Sequence, residues 1–385
     1  MDCLERIALR GETEHASIGL TDLRKVKRFE ERLEKGLEMQ RLARYTIGRA
    51  PGGLPRAQKR FNPTWRYLQS AFLMKGRRVV ITGGAGFIGS NLAWELCAEN
   101  EVAVVDDLST GNLHNIKGLV DGGKVAFSRQ SVTDADGLKA IFKGADFVLH
   151  QAAIPSVARS VRDPVATNEA GIRGTLSVLS AARETGVKKV VFASSSSVYG
   201  DTPTLPKHEG MIPRPMSPYA VTKLAGEHYC RLFTEIYGLK TVSLRYFNVY
   251  GPRQDPSSEY AAVIPRFISC ALNGEPMPIY GDGMQTRDFT FVRDVVRANA
   301  LAAESGAIVV YNIGSGRRVS VMELAQKVAE AVGVEPKVVH LPPRAGDVRD
   351  SLADITRARD GFSYSPTHSL EEGLRITVEW LKSGR

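Results

Sequence analysis

The sequence predicts an α/β fold, in which a doubly wound parallel sheet with helices on both faces is followed by a smaller α/β region. Two observations predict it. Short β-branched runs alternate with helical stretches, and a glycine-rich turn follows the first of these runs. Strands that alternate with helices form βαβ units, whose parallel sheet is buried on both faces. A chain of 385 residues has room for two or three domains.

The elements follow in order from residue 77. The predicted strands are Arg78–Thr82, Val102–Val105, Val125–Phe127, Phe147–His150, Lys189–Ala193 and Thr241–Arg245. The predicted helices between them are 87–99, 165–184 and 217–237. After Asn248, Pro- and Gly-rich connections dominate, with helices predicted at 261–272 and 321–332. We therefore predict a first domain over 75–248 and a mainly ligand-facing second region over 249–385, with room for short segments to return to the sheet.

The first 73 residues differ from the rest in charge. They contain 15 Lys and Arg against 9 Asp and Glu, whereas the remaining residues contain 36 against 33. A helix is predicted at 21–45, followed by a Gly- and Pro-rich stretch. We interpret residues 1–74 as a basic N-terminal extension, partly helical or disordered and dispensable, translated from upstream of a true start at Met74. A partner-binding arm and a packing or dimerisation segment are the alternatives.

Composition narrows the class of protein. With 43% hydrophobic and 24% charged residues, the chain is neither disordered nor fibrous. No window reaches the ~18 apolar residues of a membrane span, so we expect no membrane partner. The near-neutral body predicts no nucleic-acid partner. The four cysteines show no CxxC spacing, which predicts no metal site and a cytoplasmic protein.

The glycine-rich turn has the spacing of a dinucleotide-binding loop. Gly83, Gly86 and Gly89 follow the first strand as Gly-x-x-Gly-x-x-Gly and open a helix. The first permits the tight turn, the second lets backbone N–H groups approach a pyrophosphate, and the third lets the helix pack on the strand. Asp106 ends the second strand, within reach of the adenosine ribose hydroxyls. Because a carboxylate there repels a 2′-phosphate, we predict NAD rather than NADP as the cofactor.

A second cluster of polar residues suits alcohol oxidation. Ser195 ends the fifth predicted strand, and Tyr219 and Lys223 lie four residues apart on the helix that follows. A tyrosine with an ordinary pKa of ~10 is a poor base at neutral pH. We expect the Lys223 ammonium, with the positive nicotinamide ring, to lower the pKa of Tyr219. The three side chains then provide a proton acceptor beside a hydride acceptor.

Six motifs occur in order after residue 76. They are Thr82–Ser90, Asp106–Asn112, His150–Ala153, Leu244–Pro256, Gly281–Gly283 with Thr286–Phe289, and Arg344–Asp347. At this spacing they make the chain similar to the extended short-chain dehydrogenase/reductase family, and within it to the nucleotide-sugar 4-epimerases. The resemblance implies a Rossmann fold, bound NAD, a UDP-sugar substrate and a homodimer.

The resemblance also assigns roles to single residues. The implied catalytic residues are Ser195, Tyr219 and Lys223. The implied NAD contacts are Gly83, Gly86, Phe87, Ile88, Gly89, Asp106, Asp107, Leu108, Ser109, Thr110, Gly111, Val132, Gln151, Ala152, Ala153, Tyr219, Lys223 and Phe247. The implied substrate contacts are Ser156, Ser195, Ser196, Ser197, Tyr219, Asn248, Tyr280, Arg287, Arg344, Asp347 and Ser351.

Two positions favour one activity within this family. Ser196-Ser197 stands where similar 4,6-dehydratases carry Asp-Glu, and decarboxylases usually carry a glutamate at Ser197. The resemblance therefore implies epimerisation by transient oxidation at C4, rotation of the 4-keto sugar and re-reduction. Ser351 stands where glucose-specific epimerases carry a bulky aromatic residue. We predict UDP-N-acetylglucosamine/UDP-N-acetylgalactosamine as the substrate pair, with room for UDP-glucose/UDP-galactose as well.

Alternatives remain open at this point. Within the family, the chain is alternatively a UDP-glucuronate 4-epimerase or decarboxylase. In another class, it is a non-catalytic NAD-binding sensor or scaffold, against which the complete Ser, Tyr and Lys set argues. One departure from the family pattern is Ser131, which replaces the aspartate that often binds the adenine amino group.

Overall fold

The structure, a computed structural model, describes residues 74–256, 262–343 and 348–383. The predicted helix at 21–45 lies outside these ranges. Within them the strands are β1 (Arg78–Thr82), β2 (Glu101–Asp106), β3 (Val125–Arg129), β4 (Phe147–His150), β5 (Lys189–Ser195), β6 (Lys240–Tyr246), β7 (Val249–Tyr250), β8 (Met277–Tyr280), β9 (Thr286–Arg287), β10 (Thr290–Phe291), β11 (Val310–Ile313), β12 (Val319–Ser320) and β13 (Val338–Leu341). The α-helices are α1 (Phe87–Leu96), α2 (Lys117–Asp121), α3 (Ala135–Phe142), α4 (Val157–Arg162), α5 (Pro164–Asn168), α6 (Gly174–Glu184), α7 (Pro218–Tyr237), α8 (Val263–Asn273), α9 (Val292–Glu304), α10 (Val321–Val332), α11 (Thr356–Phe362) and α12 (Leu370–Lys382).

A parallel sheet organises the chain. In the described part of the chain, seven strands form it in the order β11-β6-β5-β4-β1-β2-β3. From β1 the chain adds strands outward to β3, then returns to the other side of β1 and continues from β4 to β11. The direction of winding therefore reverses between β1 and β4. In such sheets ligands bind outside the carboxyl ends of the strands at this reversal.

Alternate residues of the strands enter two separate hydrophobic cores. In β1, Val79 and Ile81 belong to a core shared with α1, α9 and α11. Val80, between them, belongs to a core on the opposite face shared with α3, α6 and α7. Because both faces are covered, the strands are apolar throughout, which is why their positions were readable from sequence. The predicted doubly wound α/β fold and its six predicted strands are confirmed.

The helix predicted at 165–184 forms without a break, but it is not α-helical throughout. It consists of α5, a π-helical turn over Glu169–Arg173, and α6. A Cβ added to Gly171 in this turn would lie 2.7 Å from the Thr222 side chain of α7. The close approach of the two helices thus requires glycine here, and the π-helical turn accommodates it. The helix predicted at 87–99 ends earlier, at Leu96.

The chain after Asn248 builds a third core and also returns to the sheet. The third core combines side chains of α8, α10 and α12 with β8 and β10. Strand β11 pairs with β6 at the sheet edge, and α9 packs on the same face as α1. Within the described ranges, no helix is both long and apolar enough to cross a bilayer.

Candidate active site

A cavity opens at the carboxyl ends of the strands, at the point where the winding reverses. Its volume is about 550 Å³, and we call it the sheet-edge cavity. Fifteen of the predicted NAD contacts line it: Gly83, Gly86, Phe87, Ile88, Gly89, Asp106, Asp107, Ser109, Thr110, Val132, Gln151, Ala152, Ala153, Tyr219 and Lys223. Leu108, Gly111 and Phe247 do not line it. The structure therefore brings most of the predicted cofactor residues to one place.

Two glycines of the turn, Gly83 and Gly89, have no room for a side chain. Gly83 has a φ of +68°, and a Cβ on it would lie 2.6 Å from the backbone nitrogen of Ala152. A Cβ on Gly89 would lie 2.1 Å from the carbonyl oxygen of Gly83. Helix α1 starts after Gly86, and no side chain caps its first N–H groups. This helix start, open to the cavity, suits the negative charge of a pyrophosphate.

Asp106 shapes the loop beside the glycine turn. Its carboxylate accepts hydrogen bonds from the backbone N–H groups of Ala85 at 2.9 Å and Leu108 at 2.8 Å. Burial raises the pKa of Asp106, and these two hydrogen bonds oppose the rise. A Cβ on Gly111 would lie 2.6 Å from the same carboxylate. Leu108 and Gly111 thus shape the Asp106 loop and do not line the cavity, whereas Asp106 itself lines it.

The predicted catalytic residues come from neighbouring elements. The Ser217 hydroxyl caps α7 by accepting the N–H of Ala220 at 3.2 Å, which places Tyr219 and Lys223 one turn apart on one face. Lys223 donates a hydrogen bond to the Ala193 carbonyl of β5 at 2.8 Å and lies 5.6 Å from the Tyr219 ring centre. Ser195 ends the same strand, and its hydroxyl lies close enough to Tyr219 to affect the pKa of the phenol.

Burial dominates the protonation of this group in the protein by itself. Burial raises the pKa of Tyr219, and the nearby Ser195 hydroxyl lowers it by less. Burial also lowers the pKa of Lys223 to about 8. The expected lowering of the Tyr219 pKa involves the nicotinamide ring together with Lys223, so it stays a prediction for the NAD-bound protein.

A buried ion pair supports the strand that carries Ser195. Arg245 of β6 donates two hydrogen bonds to the Glu227 carboxylate, at 2.8 and 2.7 Å. Ser194 donates a third to the same carboxylate. Ser194 is opposite Arg245 in the β5–β6 register, and Ser195 is opposite Tyr246. The pair thus locks two strand ends, and Ser194 and Tyr246 at these ends line the cavity.

A second, smaller cavity of about 250 Å³ lies among residues after β6, and we call it the distal cavity. Asn248, Tyr280 and Arg287, all predicted substrate contacts, line it. Asn248 has a φ of +28° and donates to the Asp288 carbonyl at 3.1 Å. Arg287 donates to the Thr286 carbonyl at 2.9 Å. Arg287 and Asn248 therefore place a positive charge and an amide group on the wall of the distal cavity.

The other predicted substrate contacts are placed elsewhere. Ser156 caps α4, Ser197 has a buried hydroxyl without a hydrogen-bond partner among the described residues, and Ser351 is buried with its N–H bonded to Thr286. The residues that line neither cavity are Ser156, Ser195, Ser196, Ser197 and Ser351. Phe247 packs in a small core with Tyr199. Arg344 and Asp347 lie outside the described residues.

The sheet-edge cavity also has walls that the sequence did not predict. Tyr246 ends β6, and Trp380 and Leu381 come from the last helix, α12. Tyr246 stands at the carboxyl end of a predicted strand, so its position was a usable signal. No local pattern connects Trp380 with the glycine turn, because their contact depends on how distant segments pack.

Comparison with known proteins decides the family. A model of the NAD dependent epimerase/dehydratase family matches residues 79–314, more than half of the chain. The chain belongs to the NAD dependent epimerase/dehydratase family. It is 42% identical over 311 residues to the UDP-glucose 4-epimerase of Mycolicibacterium smegmatis. The alignment covers 80% of this chain and 99% of that protein.

Solved structures of this family resemble the chain along nearly their whole length. The UDP-N-acetylglucosamine 4-epimerase of Methanobrevibacter ruminantium, in complex with UDP-N-acetylmuramic acid, has a TM-score of 0.78 at 42% identity, over 81% of this chain and 100% of that one. The UDP-glucose 4-epimerase of Thermus thermophilus, in complex with NAD, has a TM-score of 0.73 at 41% identity, over 80% and 100%. The predicted family, fold and NAD cofactor are confirmed.

The residues of the sheet-edge cavity fit the cofactor of the NAD dependent epimerase/dehydratase family. The glycine turn leaves no side chain where a diphosphate would approach the backbone, and the start of α1 is uncapped. Asp106 stands at the end of β2, where a ribose is held in this fold. Tyr219 and Lys223 line the same cavity. NAD would therefore be held with its reactive ring toward these two residues.

Proposed function

We propose that this protein is an NAD-dependent UDP-hexose 4-epimerase that interconverts UDP-N-acetylglucosamine and UDP-N-acetylgalactosamine, and accepts UDP-glucose and UDP-galactose as well. The observation that carries the activity is the meeting of Ser195, Tyr219 and Lys223 at the edge that bears the glycine turn. UDP-sugar 4-epimerase activity with NAD is supported by the names of its relatives and by the NAD bound in one of their structures.

The side chains of the site have separate tasks in this reaction. NAD, when bound, supplies the hydride acceptor and donor for the C4 carbon. Tyr219 accepts the C4 hydroxyl proton and later returns it, and Ser195 holds the same hydroxyl by a hydrogen bond. Lys223, fixed by the Ala193 carbonyl, stabilises the phenolate form of Tyr219, which must be present before the transfer because a neutral phenol cannot accept the proton. The transfer leaves Tyr219 as a neutral phenol, and its proton is the one returned to the sugar oxygen.

The identity of the sugar depends on the space near residue 351. A serine has a small side chain, and here it is buried against the strand that carries Arg287. The Methanobrevibacter ruminantium neighbour is named for an N-acetylated sugar nucleotide and was solved with another one. Both points support an N-acetyl group in the substrate. Arg287, on the distal cavity wall, has the charge and fork geometry to bind a diphosphate.

The remaining expectations stay proposals. We assign residues 75–248 to cofactor binding and residues 249–385 mainly to substrate binding, which agrees with the distal cavity lying among the latter. We also propose a homodimer in the cytoplasm. Size-exclusion chromatography with light scattering tests the dimer, and a mass of 42.0 kDa would contradict it.

The test is a coupled assay with UDP-N-acetylglucosamine, UDP-glucose and UDP-glucuronate, each without added NAD. We expect formation of the 4-epimer from the first two sugars, and a loss of at least ~100-fold in Tyr219→Phe. Tyr237→Phe, at the exposed end of the same helix, is the matched control and should keep full activity. If NAD is bound and neither hexose is epimerised, the proposal is wrong. Turnover of UDP-glucuronate alone would favour the glucuronate alternative.

Residue 351 has its own test. We expect Ser351→Tyr to lose turnover of UDP-N-acetylglucosamine while UDP-glucose turnover persists, because a large side chain fills the space for the acetyl group. Ser351→Ala should leave the ratio of the two rates unchanged. An equal loss on both sugars in Ser351→Tyr would contradict the role of this position in substrate choice.

A further inference from the structure

A buried polar network lies under the sheet-edge cavity and is not accounted for by the reaction described above. It joins Gln151, which follows β4, Tyr246, which ends β6, and Asn299 of α9. Gln151 and Tyr246 line the cavity, whereas Asn299 is fully buried behind them and does not. The three residues come from elements far apart in sequence, and the packing of α9 on the sheet brings them together.

The hydrogen bonds of this network determine how each amide is oriented. Asn299 Nδ2 donates to the Val295 carbonyl at 2.8 Å and to the Tyr246 hydroxyl at 2.9 Å. Its Oδ1 accepts from Gln151 Nε2 at 3.2 Å. Gln151 Oε1 is then 3.3 Å from the Tyr246 hydroxyl, which donates to it or to Asn299 Oδ1 at 3.1 Å. Because the Val295 carbonyl can only accept, reversing either amide would break the network.

The network has two consequences for the cavity. Gln151 is left with one N–H and one lone pair for a group in the cavity, in a fixed orientation. The Tyr246 hydroxyl is engaged on both its oxygen and its proton; burial raises its pKa, and its hydrogen bonds with Asn299 and Gln151 lower the pKa by less. Tyr246 is therefore held in one position on the cavity wall.

We propose that Asn299 is a positioning residue for bound NAD, which acts through Gln151 and Tyr246 without touching the cofactor. A fixed side chain loses less conformational entropy when a ligand binds, so removing Asn299 weakens the hold on NAD. The proposal depends on NAD occupying the sheet-edge cavity, and it does not depend on which sugar is the substrate.

The experiment follows release of NAD from the purified holoenzyme. The protein is diluted, and an added dehydrogenase with its alcohol substrate converts released NAD to fluorescent NADH. We expect Asn299→Leu to release NAD about fivefold faster, as expected for loss of about one hydrogen bond. Gln151→Met, which keeps the length of the side chain without its polar atoms, should act similarly. Asn299→Leu added to Gln151→Met should then change the rate by less than twofold.

The matched control is Asn312, another fully buried asparagine bonded to a tyrosine hydroxyl, here Tyr199 at 2.7 Å. It does not line the sheet-edge cavity. We expect Asn312→Leu to lower the melting temperature without changing NAD release. Tyr246→Phe, which keeps the ring, tests the same network if Asn299→Leu does not fold, and should also speed release.

Three results would overturn the proposal. One is unchanged NAD release in Asn299→Leu or, where that variant does not fold, in Tyr246→Phe. Another is an NAD release rate in the Asn299→Leu/Gln151→Met variant that rises by the product of the two single-variant fold changes. The last is equally fast release from Asn312→Leu. Since the readout is NAD and not sugar turnover, failure of the proposed substrate would leave this test intact.

Discussion

The Arg245–Glu227 pair yields a stability prediction that the structure makes quantitative. Both side chains are 4% exposed, and their two hydrogen bonds measure 2.8 and 2.7 Å. In Glu227→Gln an NH₂ group replaces one carboxylate oxygen and meets a donor of Arg245 or Ser194. Arg245 then remains as a buried charge without a counter-charge, and its Nη1 already has no partner among the described residues.

Breaking a buried pair in this way costs about 3–5 kcal/mol. At about 2–4 °C per kcal/mol, we expect the melting temperature to fall by ~6–20 °C. The matched control lies on the same helix: Glu235 pairs with Arg231 at 3.0 Å, but their side chains are 54% and 59% exposed. Glu235→Gln should therefore cost no more than about 0.5 kcal/mol.

The assay is thermal unfolding followed by circular dichroism, at equal NAD loading because bound NAD itself stabilises the folded state. Urea unfolding at 25 °C gives the free energies. If Glu227→Gln melts within about 2 °C of Glu235→Gln, the buried pair does not stabilise the fold by the amount expected from its burial. A double variant, Glu227→Leu with Arg245→Met, should be less destabilised than Glu227→Gln, since no unpaired charge is left.

Two further predictions concern the glycine turn and a buried histidine. Gly89→Ala should purify with much less bound NAD, because its Cβ would lie 2.1 Å from the Gly83 oxygen. The control Gly306→Ala, where a Cβ meets nothing within 4 Å, should retain its NAD. Equal NAD content in the two variants would contradict the tight fit at Gly89. Burial lowers the pKa of His150 from 6.5 to about 3, so the unfolded chain binds the extra proton and stability falls as pH drops below about 6.5. Between pH 7 and 5 this loss of folding free energy is about 2 kcal/mol. Urea unfolding at both pH values should show a smaller loss in His150→Gln and the full loss in the control His114→Gln. A full loss in His150→Gln would refute the prediction.

The candidate site was predictable where the information is local. Gly83 and Gly89 are needed because the backbone of neighbouring residues leaves no room for a Cβ, and this requirement is part of the turn itself. Tyr219 and Lys223 meet because a helix repeats every 3.6 residues. The buried strands were readable because both faces of the sheet are covered, which makes their residues apolar throughout.

The pKa of Tyr219 depends on more than the spacing of residues along the helix. Spacing placed Lys223 beside it, but spacing contains no information on how far water is excluded from the phenol. Burial, which depends on every element around the cavity, raises the pKa. The same holds for Lys223, whose pKa burial lowers to about 8.

By itself, the sequence determined the type of sheet, the glycine turn, the Ser, Tyr and Lys set, and the choice of NAD. Only the tertiary structure decided that Asn299 of α9 holds Gln151 and Tyr246, and that Trp380 closes a wall of the cavity. The physical reason is the range of the interactions. Turn sterics and helix periodicity act within a few residues, whereas burial and hydrogen-bond networks arise only when distant segments pack around the same sheet edge.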